Sequence, residues 1–480
     1  MLKSCLIDKI NEEYNELINM QEIIMDISDS KVNEILDYLQ NSYFLNDVDK
    51  IESLLHTLYI CCRVRPARRT EIFLVIKEIK PQIKKFYTDS ELTHLIQSFS
   101  VDDDFIHFKN FMNMLLKEDY LVKNFNSQIF NIIASDDIEQ FQNYLSNNNI
   151  SVDNKLSIQL LGQNATYLSM SFLFNATKIA AFLRMNNAKI RLSDRSCAIA
   201  GGNYDFIHYA YDSFPDKPNE IELDIAIKFH RNNVATWIHE NYQIEYTDQS
   251  VETSIKYYNS FMIKELKELR LFNPIQYYSL ASRYYCYEIF IYFLTFCKKS
   301  KNAEEIQEAL NRSFNEASKS GCYRIVNFIL ENDLVSHNIN SIFHKSNKKT
   351  NPIILAAKRG NLKVFDVLLN FRNKNLVRLD LNWKTNLEMT PLHYAVKNQR
   401  IDMVMFLSSF EEVNLNDQCL IGWTPLHFAV DQEDAEIVRF FCSLNERVDK
   451  KIKDRFGETP IDLAKKNCLY EIEHILNVNS

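Results

Sequence analysis

Two histidines in this chain of 480 residues occur in a repeated setting that first suggests chemistry. His393 lies within residues 390–395, which read TPLHYA, and His427 lies within residues 424–429, which read TPLHFA. An imidazole can bind a metal ion or act as a general base. A zinc site needs further Cys, His or carboxylate ligands at short spacing, and neither histidine has them. The pattern therefore favours a structural role for both histidines.

Enzyme motifs are missing from the sequence. It contains no phosphate-binding glycine loop, nucleophile elbow, HExxH helix or kinase catalytic loop. The whole chain has only seven glycines, so a glycine-rich phosphate-binding loop is not expected. We expect no catalytic residue, no metal ligand and no cofactor, and therefore a protein that is not an enzyme.

Two further segments allow a functional and a structural interpretation. Residues 63–69 (RVRPARR) could be a nuclear-localisation signal or an anion site, or a solvated turn between helices with paired charges. Residues 277–287, rich in tyrosine, could stack on nucleic-acid bases or pack in a helical core. The structural interpretation is favoured for both, and the shorter basic run at 298–301 is interpreted as a polar link.

The elements around the histidines follow from the residue types. Threonine is a good helix N-cap, and the proline after it fits the first helical position. The leucine then faces the core, and the alanine four residues after the proline allows close helix approach. A third copy at residues 459–464 reads TPIDLA, and the three threonines lie 34 and 35 residues apart.

This pattern resembles the ankyrin repeat, whose signature is TPLHxA at a period near 33. Residues 351–356 (NPIILA) add a copy in which asparagine replaces the capping threonine. Asp380 to Asn382 and residues 415–416 resemble the segment that leads into the family's β-hairpin. The resemblance implies an all-α solenoid of stacked helix pairs with short hairpin loops. It also implies that His393 and His427 form hydrogen bonds within and between repeats.

Two residues depart from the family pattern. Asp462 stands where the histidine is expected, which suits a terminal repeat whose outer side meets water. Glu388 stands where the hairpin glycine is expected, so we expect a distorted hairpin at residues 384–389.

The distribution of this pattern along the sequence predicts three parts. Residues 1–125 form an α-helical N-terminal region, and residues 126–345 contain degenerate ankyrin-like repeats. Residues 346–480 contain regular repeats with a C-terminal capping repeat. The first part loosely resembles the helical regions that precede ankyrin arrays in large protist families. Within the second part, residues 251–271 are predicted to be an inserted helical stretch. In the first part, periodicity predicts helices over residues 10–27, 31–39, 48–62 and 71–79. Ser28 or Ser30 is the expected cap of the second helix, Pro81 is expected to end or restart a helix, and a further helix start is expected at residues 103–105.

Composition limits the partners and the compartment. A net charge of −8 disfavours general nucleic-acid binding, which requires a basic surface. No apolar run reaches the length of a membrane span. Ten scattered cysteines without a signal peptide indicate free thiols in a reducing compartment. We expect a monomeric cytoplasmic protein, with the nucleus as the alternative if residues 63–69 are a signal.

The resemblance implies a non-enzymatic scaffold or adaptor that binds a partner protein through the concave ankyrin surface. The alternative is a substrate-recruiting subunit of a ubiquitin-ligase-type complex, docked through the N-terminal helices. Trp423 allows two interpretations, since its indole could contact the partner or lie on the neighbouring hairpin. Family register places the partner-binding positions at Trp423 and Phe456 on hairpins, at Lys397, Asn398, Asp431 and Gln432 on inner helices, and at Trp383.

Overall fold

The computed structural model describes residues 4–28, 31–64, 68–99, 128–161, 163–214, 216–269, 273–296, 303–332, 334, 351–375 and 379–478. The predicted boundaries at 125/126 and 345/346, a helix start expected at residues 103–105 and the basic run at 298–301 lie outside these residues. The chain divides into two compact units, Met1–Asn273 and Pro274–Ser480. No helix in the described residues is both long enough and apolar enough to cross a bilayer.

The N-terminal region contains the predicted helices with longer bounds. A short 3-10 turn, Tyr43–Leu45, lies between the second and third helices. Pro81, which was predicted to end or restart a helix, lies in the last turn of the helix that ends at Ile83. The second helix begins after Lys31, which forms no side-chain cap, and Ser30, one of the two serines predicted to cap it, lies outside the described residues. The helices are α1 Ser4–Met25, α2 Val32–Asn41, α3 Val48–Val64, α4 Arg69–Ile83 and α5 Asp89–Phe99.

The remaining described residues form eleven helix pairs, each with an inner helix followed by an outer helix. We number them pairs 1 to 11; pairs 1 to 5 lie in the first unit and pairs 6 to 11 in the second. The pairs are α6 Gln128–Ala134 with α7 Ile138–Asn147, α8 Tyr167–Phe174 with α9 Thr177–Met185, α10 Asp194–Gly201 with α11 Tyr204–Ser213, α12 Glu220–Lys228 with α13 Asn232–Tyr242, α14 Asp248–Lys256 with α15 Ser260–Glu268, α16 Tyr278–Arg283 with α17 Tyr287–Leu294, α18 Ala303–Ser320 with α19 Tyr323–Glu331, α20 Pro352–Arg359 with α21 Leu362–Asn375, α22 Pro391–Lys397 with α23 Ile401–Ser408, α24 Pro425–Asp431 with α25 Ala435–Ser443, and α26 Pro460–Lys466 with α27 Tyr470–Val478.

Every pair turns at one residue with left-handed backbone geometry. This residue is a glycine in only three pairs, although left-handed geometry strains residues that carry a Cβ. The chain nevertheless makes the same turn in all eleven pairs. The turn residues are Asp136, Asn175, Gly202, His230, Tyr258, Tyr285, Gly321, Gly360, Gln399, Glu433 and Cys468.

In ten of the eleven pairs a small residue, alanine or serine, lies four positions before the turn residue; in pair 1 this position is Ile132. In pair 9 the backbone N–H of Arg400 donates to the carbonyl of Ala395, and in pair 10 Asp434 donates to Ala429. Both alanines are fully buried, as the sequence pattern predicts. The same register continues into the degenerate pairs, where Ala226, Ala281, Ala317 and Ala356 accept the equivalent bond.

The register corrects the prediction that residues 251–271 are an insertion. Helices α14 and α15 make a regular pair that turns at Tyr258. Turn residues 175, 202, 230 and 258 lie 27, 28 and 28 residues apart, shorter than the family period. These pairs therefore have short connections in place of a full hairpin. One antiparallel hairpin precedes pair 2, formed by β1 Lys155–Leu160 and β2 Gln163–Thr166.

Stacking buries the apolar faces of the pairs, as expected for a solenoid. In the first unit the inner helices α6, α8, α10, α12 and α14 contact one another in sequence. In the second unit the inner helices α16, α18, α20, α22, α24 and α26 do the same, and outer helices pack on outer helices.

The N-terminal helices pack on pair 5 within the first unit. The Tyr14 hydroxyl donates to the carbonyl of Ser260 (3.1 Å), and the His56 ring lies between the rings of Phe99 and Tyr258. Gln21 forms two buried hydrogen bonds to the turn between α14 and α15. The N-terminal helices therefore belong to the same compact unit as pairs 1 to 5.

Candidate functional site

Three hairpins precede the inner helices of pairs 9, 10 and 11. Each closes with one backbone bond across the loop: Thr385 donates to Met389 (3.1 Å), Cys419 to Trp423 (2.9 Å) and Asp454 to Glu458 (2.9 Å). These donors lie 34 and 35 residues apart, so the hairpins repeat with the helices.

The hairpin at residues 384–389 is not distorted, although a distortion was expected from Glu388. Glu388 adopts the left-handed geometry of the missing glycine, with φ of 57°, compared with 81° for Gly422. Its N–H donates to Thr385, as that of Gly422 donates to Cys419. The surrounding bonds therefore hold a residue with a side chain in the position that usually takes glycine.

Successive hairpins are joined through their tips. The N–H of Leu420 donates to the carbonyl of Leu387 (2.9 Å), and the N–H of Arg455 donates to Ile421 (3.2 Å). Leu387, Ile421 and Phe456 each directly precede the left-handed residue of their hairpin. Leu387 is 52% exposed, Leu420 40%, Ile421 42% and Phe456 78%. We call these four side chains the hairpin row.

Asparagines join the stems of the hairpins. The Asn382 amide donates to the carbonyl of Glu412 (2.7 Å) and accepts from the N–H of Asn414 (2.9 Å). Asn416 forms the same two bonds one repeat later, to Arg447 (2.9 Å) and from Asp449 (2.8 Å). Both ends of each hairpin are therefore fixed to the next repeat.

The two histidines also connect repeats. His393 Nδ1 accepts from the N–H of Thr390 (3.1 Å), so the ring proton is on Nε2, which donates to the carbonyl of Trp423 (3.1 Å). His427 bonds in the same way to Thr424 and to Glu458. Burial lowers the pKa of His393 to about 4, and burial also lowers the pKa of His427. Both rings are neutral at physiological pH, and both nitrogens of each ring form structural hydrogen bonds.

In pair 11, Asp462 forms the hydrogen bonds to the capping threonine that the histidines form in pairs 9 and 10. Its carboxylate accepts from the Thr459 N–H (3.0 Å) and from the Thr459 hydroxyl (2.6 Å). These hydrogen bonds lower the pKa of Asp462. The carboxylate therefore closes the cap of α26.

Trp423 lies against the next repeat. Its indole Nε1 donates to the Asp454 carboxylate (3.0 Å), and its ring packs beside His427 and edge-on to Phe428. Asp454 also accepts from the N–H groups of Phe456 and Glu458. Burial alone would raise the pKa of Asp454, but these hydrogen bonds outweigh it and lower the pKa. These contacts agree with the interpretation in which the Trp423 indole lies on the neighbouring hairpin.

The other predicted positions lie at the C-terminal ends of the inner helices α22 and α24 and at the start of the first hairpin. Lys397 is exposed, and its ammonium lies 5.6 Å from the centre of the Phe428 ring. Asn398 donates to the carbonyl of Tyr394 (2.8 Å), which ends α22. Asp431 is exposed and accepts from Gln432 (2.9 Å). Trp383 is half-buried at the start of its hairpin. Their role toward a partner stays a prediction.

Leu387, Leu420 and Ile421 are absent from the predicted set. The sequence contains a signal for Leu387 and Ile421. Like Phe456, each is an apolar residue that stands directly before the left-handed residue of its hairpin. Because Glu388 replaces a glycine, the first of these positions is hard to recognise from sequence. Only Phe456 was predicted.

The basic segment at residues 63–69 and the tyrosine-rich segment at residues 277–287, each with a functional and a structural interpretation, form contacts within the chain. Arg63 lies over the Tyr257 ring (4.8 Å), and Arg68 pairs with the buried Glu71 (3.0 Å). In the tyrosine-rich segment, Tyr277, Tyr278 and Tyr285 are buried, as the core interpretation predicts. Within the described ranges no three His, Cys, Asp or Glu residues form a metal-binding group.

Stacked helix pairs with hairpins that bond to one another define a helical-repeat solenoid. Residues 314–417 match the family model described as ankyrin repeats (3 copies), and residues 407–464 match that described as ankyrin repeats (many copies). Residues 314–464 are therefore an ankyrin-repeat array, as the sequence resemblance predicts. A comparison of the chain with curated proteins gave no match. Ankyrin repeats are protein–protein interaction modules.

Proposed function

We propose that this chain is a non-enzymatic scaffold or adaptor that binds a partner protein through the hairpin row and the adjacent inner-helix ends. The observation that supports this proposal is the set of exposed apolar side chains of the hairpin row, Leu387, Leu420, Ile421 and Phe456, at the tips of hairpins that bond to one another. Exposed apolar side chains grouped on one part of a folded protein commonly mark an interaction site.

The rigidity of the row favours binding. Each hairpin is closed by its own backbone bond and fixed to the next by tip, asparagine and histidine contacts. A partner would therefore lose little free energy in ordering this surface. Phe456 is the proposed anchor, since large aromatic side chains dominate many interfaces. Trp423 is proposed to support the stack that presents it.

The test compares three full-length baits in affinity capture from extracts of the source organism, with quantitative mass spectrometry. The baits are the wild-type chain, Phe456→Ser and Tyr470→Ser. Tyr470 is a matched control, because it is 77% exposed but lies at the start of α27, away from the hairpin tips. Both substitutions replace an exposed aromatic side chain, so the free energy of unfolding should change by no more than about 0.5 kcal/mol.

We expect at least one protein to be retained by wild type and Tyr470→Ser and reduced about tenfold or more with Phe456→Ser. Identical captures by all three baits would contradict the proposal. The alternative proposal, a ubiquitin-ligase subunit docked through the N-terminal helices, is tested in parallel. It would be supported by ligase components that all three baits retain. Full-length baits are required, because a fragment ending at residue 125 would lose the contacts of α1 with α15.

A further inference from the structure

Three exposed cations precede the aromatic residue of the hairpin row on the same hairpin segment. Lys451, Lys453 and Arg455 alternate along the stem and tip of the third hairpin, directly before Phe456. All three are exposed, whereas Asp454 between them is buried under Trp423. None of the three forms an ion pair with a described residue. We call these three side chains the basic patch.

The neighbouring carboxylates are occupied by other donors. Asp454 accepts from two backbone N–H groups and the Trp423 indole, and Glu458 pairs with Lys466 (2.7 Å). Asp462 accepts from Thr459, and the Asp449 carboxylate accepts from the N–H of Lys451. The acidic side chains of this segment are thus directed into local structure, whereas the basic side chains face solvent.

We infer that the partner segment that docks on the hairpin row is acidic and apolar: an extended peptide with an apolar residue against Phe456 and carboxylates facing Lys451, Lys453 and Arg455. This inference rests on the proposed function and adds the chemistry of the partner. Complementary charge raises association rates and excludes wrong partners, while the apolar contact provides most of the affinity.

Charge attraction must act locally here, because the whole chain carries a net charge of −8. At physiological ionic strength, exposed charges are screened beyond about 8 Å. An acidic segment is therefore attracted only when it lies directly on the patch. This requirement couples the position of its carboxylates to that of its apolar anchor.

Single-stranded nucleic acid and an anionic membrane surface would also be attracted by cations beside an aromatic ring. The rest of the row favours a peptide over nucleic acid, because Leu387, Leu420 and Ile421 are aliphatic and offer bases no aromatic surface. A membrane is disfavoured by the acidic chain around the patch. These two classes are outcomes of the test.

The experiment selects binders from a display library of random twelve-residue peptides on the immobilised full-length chain. Counter-selection against Phe456→Ser removes peptides that bind elsewhere. Enriched peptides are synthesised, and their affinities are measured by fluorescence anisotropy at two salt concentrations. A single-stranded oligonucleotide and phosphatidylserine vesicles are measured in the same way.

We expect enriched peptides with net negative charge and aliphatic or aromatic residues. Their binding should weaken at least tenfold in Lys453→Gln/Arg455→Gln and should weaken as salt increases. The matched control is Lys178→Gln/Lys189→Gln, which removes two exposed cations from the first unit; it should change affinity less than twofold. Thermal melts of both variants should match that of wild type.

Neutral or basic peptides that depend on Phe456 would overturn this inference and leave the proposed binding surface in place. The inference would likewise be wrong if the oligonucleotide or the vesicles bound through the patch while no acidic peptide did. If no peptide depended on Phe456, the inference would also fail, and the capture experiment would decide the proposed function independently.

Discussion

Single residues show how far this chain departs from the family signature without losing its geometry. Glu388 holds the left-handed hairpin position, and residues such as Tyr258 and Gln399 hold the left-handed interhelical turn. Each should cost about 1–2 kcal/mol relative to a residue in right-handed geometry. The strain is tolerated because backbone hydrogen bonds hold each turn, from Glu388 to Thr385, from Asn259 to Ser254 and from Arg400 to Ala395.

The buried histidines predict a pH dependence of stability. An unfolded chain binds a proton at His393 near the ordinary histidine pKa of about 6.5. In the folded chain the pKa of His393 is lowered to about 4, because burial disfavours the charged ring. Between these values the unfolded state binds more protons. Stability should therefore fall as pH falls, by up to about 1.4 kcal/mol per pH unit for this residue.

The measurement is urea unfolding of the full chain between pH 4.5 and 7.5, for wild type and His393→Gln. Glutamine cannot titrate in this range, so the pH slope of the variant should be shallower than that of wild type. His474→Gln, which replaces an exposed histidine on α27, serves as the control for the substitution itself. Equal slopes for all three proteins would show that His393 is not buried as described.

At the scale of elements, the sequence predicts the regular repeats well and the degenerate ones poorly. Pairs 9 to 11 follow from the Thr-Pro caps, because capping and proline geometry are local properties. Pairs 2 and 5 lack the signature, since their turns are Asn175 and Tyr258 and their small residues are Ser171 and Ser254. Their geometry depends on stacking, which a single segment does not reveal.

The candidate site was predictable in part for the same reason. Phe456 precedes a recognisable glycine, and the histidine bonds follow from the family resemblance. The orientation of Trp423 depends on Asp454, which is 31 residues away. The row also requires the bonds between hairpins, whose register is fixed only in the folded array.

The stacking of hairpins gives a prediction for two glycines. A Cβ on Gly422 would lie 2.7 Å from the Arg455 nitrogen and 3.0 Å from Asp454 backbone atoms, whereas a Cβ on Gly457 would meet no atom within 4 Å. Both residues have positive φ, so alanine at either site should cost about 1 kcal/mol after the entropy change of the unfolded chain. Overpacking against the next hairpin should add about 1–3 kcal/mol for Gly422→Ala only.

Urea midpoints followed by tryptophan fluorescence measure this difference, with Gly457→Ala as the matched control for backbone strain. Equal destabilisation by the two substitutions would mean that the second and third hairpins do not approach as closely as described.

At the scale of the whole first unit, contacts between distant segments determine the arrangement. The sequence indicates a helical N-terminal region but not its position, because Gln21 and its partners are more than 230 residues apart. The packing of α1 on α15 joins the N-terminal helices to pair 5. The N-terminal helices thus form a cap on α15 that is built from non-repeat sequence.

Gln21→Ala tests this cap. The amide donates to the carbonyl of Tyr258 (2.8 Å) and accepts from the N–H of Ser260 (3.1 Å), and all these groups are buried. Removing it takes one of two hydrogen bonds from the Ser260 N–H, which also donates to the Tyr258 carbonyl (3.1 Å), and one from that carbonyl, at a cost of about 0.5–1.5 kcal/mol per hydrogen bond. Hydrogen exchange should accelerate in α1, α14 and α15 and stay unchanged in α22–α27, while Gln140→Ala on an exposed face of α7 should alter neither region. Acceleration confined to α1 would show that pair 5 is stable without its N-terminal cover, and the capping role would be wrong.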